Sequence, residues 1–178
     1  DFTGDVLILC GDGPLIRAQT LKTLIEKHRA TNSAATLATA VLEDPSGYGR
    51  IVRNADGNIE RIVEDSDCTA EQAKIREVNP SYYLFDSKAL FDALQKVRPD
   101  NAKKEYYLTD VLGVMISAGL KVAAVEAVRP EEAMSINDRK QLSQVNKVMQ
   151  QRIQQKLMDA GVTIVDPDST WIEAGAEI

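Results

Sequence analysis

Short apolar runs of strand type alternate with segments of helical period through most of this chain, and that alternation restricts it to a layered α/β architecture. The first run, Val6-Leu7-Ile8-Leu9-Cys10, stops abruptly at Gly11-Asp12-Gly13-Pro14-Leu15. Five consecutive β-compatible apolar residues read as a strand buried on both faces. A helix is expected over residues 16–28, with Ile16, Leu21, Leu24 and Ile25 as its apolar stripe. Residues 34–41 read as the next strand. Residues 50–53 and 59–64 alternate and flank Asn54-Ala55-Asp56-Gly57-Asn58, a hairpin signal. A short capped helix is expected over 69–75, with Thr69 at its cap and Glu71 and Gln72 in its first turn. A strand over 77–85 follows, then a helix over 87–96 whose Leu90, Phe91 and Leu94 face the core. A helix over 109–118, stopped at Gly119, and an apolar strand over 121–127 complete the series. The expected product is a mixed, mostly parallel sheet with helices on its faces.

The last third changes character. Residues 139–160 form a long polar helical pattern with Leu142, Val145, Met149, Ile153 and Leu157 at spacings of three and four, ended by Gly161. Such a stripe is expected to lie against the helix's own domain. Beyond it, Val162 to Val165 and Trp171-Ile172 open another β-rich element, and Ile172 and Ile178 stand one hexapeptide apart. One interval does not establish a repeat.

With 178 residues, the chain holds one α/β domain and a short appendage. Its 21 Lys and Arg against 27 Asp and Glu give a net charge of −6, with no basic run to track a nucleic-acid backbone. Nucleic acid is not expected as a partner. A phosphorylated ligand on so acidic a protein needs a divalent metal, backbone N–H groups or a few placed cations. Cys10 and Cys68 have no disulfide or zinc spacing, which points to a reducing, cytoplasmic setting. No apolar run is long enough to span a bilayer, so no membrane association is expected. The single histidine, His28, falls near a helix end beside Lys27 and Arg29 and reads as structural.

Ligands of open α/β sheets gather where strands end, which puts Asp12 at the ligand-bearing edge with a hard carboxylate oxygen suited to Mg²⁺. Asp and Gly are also ordinary turn residues. Asn137 stands just before the long helix, where it reads either as a second oxygen ligand or as a helix cap, and spacing alone favours the cap. Gly47 and Gly49 suit close approach of backbone to a ligand, with Tyr48 as a wall and Arg50 as a phosphate partner, or else form a plain turn. Glu64 and Asn79 sit at strand-like segments as acceptors for sugar hydroxyls or as solvated strand ends. Tyr106 and Tyr107 fit a core edge, and Thr109 fits a helix cap.

Taken in order, residues 6–15, 44–51, 62–64, 77–79, 105–110 and 136–143 resemble the family of bifunctional N-acetylglucosamine-1-phosphate uridyltransferases and glucosamine-1-phosphate acetyltransferases. The likeness spans essentially the whole chain. It implies a Rossmann-like nucleotidyltransferase mixed sheet, incomplete at its N-terminus, over residues 1–138. A linker helix over 139–161 and the first coil of a left-handed β-helix over 162–178 would follow. By the same resemblance Asp12 and Asn137 hold the catalytic Mg²⁺, Gly11 belongs to the substrate-binding set, and Gly49, Glu64 and Asn79 hold the N-acetylglucosamine moiety. Tyr107 and Thr109 line the same pocket. The implied reaction joins UTP and N-acetylglucosamine 1-phosphate to give UDP-N-acetylglucosamine and pyrophosphate. The alternatives are a non-catalytic sugar-nucleotide binding module and a nucleotidyltransferase for another sugar 1-phosphate.

Departures from the family pattern carry their own expectations. The glycine-rich loop with Arg and Lys that holds the triphosphate, and the uracil-reading segment, do not occur in this sequence. The chain alone is therefore expected not to catalyse uridylyl transfer, and residues 6–10 are expected to keep an unpaired apolar edge. Gly13 replaces a small apolar or β-branched residue, and Pro80-Ser81 stand where a glycine commonly follows the asparagine. The acetyltransferase site of the family lies in later coils, so acetyl transfer is not expected. Family members form homotrimers through the β-helix.

Overall fold

The computed structural model describes residues 2–99 and 104–178. Its strands are β1 (Asp5–Leu9), β2 (Ala35–Val41), β3 (Gly49–Arg53), β4 (Ile59–Val63), β5 (Glu77–Asp86) and β6 (Val122–Glu126). The helices are α1 (Ala18–Thr31), α2 (Ser87–Leu94), α3 (Asp110–Ser117) and α4 (Arg139–Asp159). Each follows the periodicity of its segment to within a few residues. The sheet runs β4-β3-β5-β2-β6, and β1 also pairs with β5.

The ten-residue β5 organises this sheet. One edge pairs with β2, while the other is shared end to end by β3, at Val78 and Asn79, and by β1, from Tyr82 to Asp86. Alternate side chains of β5 supply two cores. Tyr83 and Phe85 pack with Leu37, Leu90, Leu112 and Met115 on the face covered by α2 and α3. Tyr82 and Leu84 pack with Leu24, Ala38 and Val128 on the face covered by α1.

The expectation of a mostly parallel sheet is corrected. Among the described residues only β2 and β6 pair in parallel, and β1–β5, β2–β5, β3–β4 and β3–β5 are antiparallel. Apolar runs carry no direction; connections set it. The strand buried on both faces is also reassigned. It is β2 whose first six residues are buried. In β1, Val6 and Ile8 pack on the core while Leu7 and Leu9, on the opposite face by the alternation of a strand, are 39% and 38% exposed.

Residues 69–75 form a 3₁₀ turn, Gln72–Lys74, rather than an α-helix. The expected cap is present: Thr69 Oγ1 accepts from Gln72 N at 3.3 Å and Gln72 Oε1 accepts from Thr69 N at 2.9 Å. In α2 the buried side is Leu90 and Ala93, while Phe91 is 52% and Leu94 41% exposed, which corrects their placement in the core. So short a helix at the sheet margin buries one narrow stripe. His28 is buried and structural, with Nδ1 2.9 Å from Thr36 Oγ1 and Nε2 3.6 Å from Asp5 Oδ1.

The long helix α4 does not bury the apolar stripe that its sequence suggests. Val145 is buried, Leu142 and Met149 are exposed, and the other buried positions are Gln150 and Gln154. Both glutamines are buried because backbone of the following segment satisfies their amides. Gln150 donates to Ile172 O at 2.8 Å and accepts from Ile172 N at 2.9 Å, and Gln154 donates to Pro167 O and Thr170 O. Residues 162–178 contain no strand, only a 3₁₀ turn at Pro167–Ser169, contrary to the expected β-rich element. Among the described residues no strand pairs with this segment, and its backbone is held instead by the side chains of α4. Replacing Gln154 with Leu strands two carbonyls. We expect Q154L to speed amide exchange and proteolysis within residues 166–172 about tenfold while leaving the sheet unchanged.

Candidate functional site

The expected site residues converge at one end of the sheet. The loop after β1 brings Asp12, the start of β3 brings Gly49, the end of β4 brings Glu64, β5 brings Asn79, and the approach to α4 brings Asn137. All five line a cleft of about 210 Å³. A second cleft of about 370 Å³ shares Cys10, Glu64 and Ser81 with the first and is closed by residues 106–109, including Tyr107 and Thr109. Gly11 is exposed on the loop beside Asp12 and is not among the residues that line either cleft.

Backbone bonds and local strain build this arrangement. Ile136 N donates to Asp12 O at 3.0 Å, which ties the Asp12 loop to the segment bearing Asn137 across the cleft. Tyr48 OH donates to Ala133 O at 2.9 Å and pins the glycine loop to the same segment. In β5, Pro80 has no N–H for the ladder, the β2–β5 register shifts between Ala38 and Ala40, and Ser81 takes a φ of 64°. A glycine takes that left-handed conformation at no steric cost, whereas Ser81 holds it under strain. Ser81 N donates to Asn79 Oδ1 at 3.2 Å, and Asn79 Nδ2 donates to Tyr83 OH at 2.6 Å. Asn79 is thus a buried, oriented amide and not a solvated strand end.

Several open readings close in the structure. The cap of α4 is Asp138, whose side chain accepts from Gln141 N at 2.7 Å; Asn137 is therefore not the cap. Its Nδ2 donates to Ser135 Oγ at 3.2 Å, and both residues line the cleft. Thr109 makes no cap bond to α3. Its hydroxyl donates instead to Glu64 Oε1 at 3.0 Å, joining the two clefts. Arg50 is 2% exposed and is spent on Asp65, at 2.7 Å, and on the carbonyl of Tyr48. It braces the walls and does not offer itself to phosphate. Tyr106 is exposed, whereas Tyr107 lines the second cleft and has a partner of its own.

Burial pushes the Cys10 thiol up, and the adjacent Asp12 carboxylate adds to the shift, so Cys10 stays protonated and is no nucleophile. Burial likewise raises Tyr48, and pushes Tyr83 up to about 12. Among the described residues no three His, Cys, Asp or Glu side chains gather in a metal-binding group. A carboxylate at Asp12 and an amide oxygen at Asn137 are hard donors that fit Mg²⁺ when phosphate and water complete its shell. The sequence reading missed Ser81 and Ser135, both on the first cleft. Their available signal was proximity, since each stands two residues from a chosen asparagine.

Gly49 sits where a side chain does not fit: a Cβ there would lie 2.9 Å from Ile62 Cγ2 and 3.5 Å from Glu64 Oε2. Its replacement by Ala forces Ile62 to shift and sets a methyl against the Glu64 carboxylate. We expect G49A to weaken sugar-nucleotide binding about tenfold, read by calorimetry, with about 1–3 kcal/mol lost from stability because the β-branched Ile62, packed on the core, must move.

Residues 1–130 match the nucleotidyl transferase family model. The chain is similar to a protein named bifunctional protein GlmU from Pelotomaculum thermopropionicum, 47% identical over 177 residues, which are 99% of this chain and 39% of that protein. A bifunctional protein GlmU from Pediococcus pentosaceus is 49% identical over all 178 residues and 38% of its own length. The chain thus spans a little under two fifths of the curated relatives it matches. Among solved structures, a nucleoside-diphosphate-sugar pyrophosphorylase from Vibrio cholerae RC9 superposes with a TM-score of 0.58 at 12% identity, over 82% of this chain and 57% of that one. That likeness shows the fold. Sequence match and architecture agree: this chain belongs to the nucleotidyl transferase family.

Proposed function

We propose that this chain carries the sugar-phosphate side of a uridylyl-transfer site, in an enzyme that makes UDP-N-acetylglucosamine and pyrophosphate from UTP and N-acetylglucosamine 1-phosphate. The observation that carries this reading is the shared cleft of Asp12, Gly49, Glu64, Asn79 and Asn137. By analogy with the relatives, the whole polypeptide would be bifunctional. Residues 1–138 would then be nucleotidyltransferase, 139–161 linker and 162–178 the start of a second domain.

The attacking group is a phosphate whose second pKa lies near ~6, so it is ionised at neutral pH and needs no general base. This accords with a cleft holding no histidine and only a protonated thiol. Glu64, held by Thr109, accepts from sugar hydroxyls, and Asn79, fixed by Tyr83 and Ser81, offers its amide to the sugar ring or its acetamido group. Gly49 lets the ring lie close to backbone. Tyr107 forms the wall of the second cleft. Asp12 and Asn137 would hold Mg²⁺, which supplies charge neutralisation and alignment of the phosphates.

Calorimetry tests the reading. UDP-N-acetylglucosamine should bind with Mg²⁺ at least about tenfold tighter than without it, and about tenfold tighter than UDP-glucose. Equal affinity for the two sugar nucleotides would reject the assigned sugar, and no binding at millimolar concentration would reject the site.

A further inference from the structure

We propose that Glu132, outside the assigned binding set, is a positioning residue that holds the Asp12 loop and the Asn137 segment together across the cleft. Glu132 lies in the 3₁₀ turn Pro130–Glu132, just before the strand of chain that carries Ser135 and Asn137. It is 1% exposed. A carboxylate so buried needs compensation, and each of its oxygens has a neighbour from the Asp12 side. Oε2 accepts from Thr20 Oγ1 at 2.5 Å, in the first turn of α1. Oε1 lies 3.2 Å from Arg17 Nε, an ion pair by distance whose N–H is not aimed at the oxygen. Arg17 also reaches Glu131 Oε1 at 3.0 Å.

The first turn of α1 contains no acidic residue, and Arg17 at its N-cap makes no side-chain cap bond. Glu132 places the negative charge that this helix end favours, from a distant part of the chain. Through α1 and Arg17 it grips the far end of the loop whose near end carries Asp12. Its own backbone is held too, because Tyr82 OH donates to Glu132 O at 2.9 Å. The 130–137 segment is therefore fastened at Glu132, at Ala133 by Tyr48, and at Ile136 by Asp12 O. Of these ties, the Glu132 carboxylate is the charged one: it forms an ion pair with Arg17 and accepts a hydrogen bond from Thr20. Releasing it should leave the segment to the neutral bonds and the more exposed Arg17–Glu131 pair, so that the Ile136–Asp12 bond opens more readily than the core.

The metal consequence rests on the assignment of Asp12 and Asn137 above; the latch itself does not. Both are tested on this chain with Glu132→Gln, which keeps shape and removes charge, and with Thr20→Val, which removes one donor should the first variant fold poorly. Native-state hydrogen exchange is read at the Ile136 amide and at core amides of Leu37 and Phe85, and Mn²⁺ binding is read in the presence of UDP-N-acetylglucosamine. The expected result is at least tenfold faster exchange at Ile136 than at the core amides, with Mn²⁺ affinity about tenfold lower and metal-free nucleotide affinity within twofold. Unchanged exchange at Ile136, or a uniform rise at all three amides, overturns the proposal by showing either no latch or a general stabiliser. Local acceleration at Ile136 in variants whose parent shows no Mn²⁺ binding upholds the latch and places the failure on the metal assignment.

Discussion

Replacing Asp12 with Ala is expected to erase the Mg²⁺-dependent part of UDP-N-acetylglucosamine binding by this chain. In a polypeptide of the relatives' full length that includes it, uridylyl transfer should fall at least ~10³-fold, about 4 kcal/mol of transition-state stabilisation. The physical reason is that Asp12 is the one carboxylate of the assigned metal pair, and the amide of Asn137 alone does not balance a divalent charge. Asp12→Asn should behave almost as badly, since it keeps the hydrogen-bonding shape and loses the charge. The fold should survive both changes. The Asp12 contact that fastens the loop is its backbone carbonyl to Ile136 N, which no side-chain substitution removes. Turnover within tenfold of the parent for Asp12→Ala, with unchanged circular dichroism, would take Asp12 out of the site.

The second large effect lies in stability. Phe85 is fully buried on β5, faces Val6 of β1 and Ala35 of β2 in the registers of both pairs, and stands 5.7 Å from the ring of Tyr83. Truncation to Ala leaves a cavity where two strands and the helices α2 and α3 meet, at a cost of about 3–5 kcal/mol. Domains of this kind have about 5–15 kcal/mol to lose. Urea unfolding should therefore show Phe85→Ala shifted to far lower midpoint or already unfolded. Phe91→Ala supplies the control: on the exposed side of α2, it should stay within about 0.5 kcal/mol of the parent. A small loss at Phe85 would mean that β5 does not organise the core.

Glu132 shows why part of this site was invisible from the chain alone. Asp12, Gly49, Glu64, Asn79 and Asn137 belong to short motifs whose residue types suit a phosphosugar, and the fold brings all five to one cleft. Glu132 sits in a run, Pro130-Glu131-Glu132, that belongs to none of those motifs. Its burial depends on Arg17 and on Thr20, the latter 112 residues away in sequence. Thr109 and Arg50 teach the same lesson in reverse. Each had a plausible local duty, as a cap and as a phosphate partner, and each is drawn away by a carboxylate from another element, Glu64 or Asp65.

Periodicity was sufficient for the elements, since helical and strand spacing are local consequences of burying one side of a segment. The hairpin of β3 and β4, the 3.6-residue stripe of α1 and the alternation that makes two layers of helix around a sheet were all legible in that way. Strand direction was not, because hydrophobic runs pair equally well either way until the connections choose. Nor was the buried face of α4, where Gln150 and Gln154 displace Leu142 and Met149 because distant carbonyls and an N–H await them. Local pattern reports which side chains prefer to leave water. Which polar groups can follow them depends on partners that only folding brings within hydrogen-bonding distance.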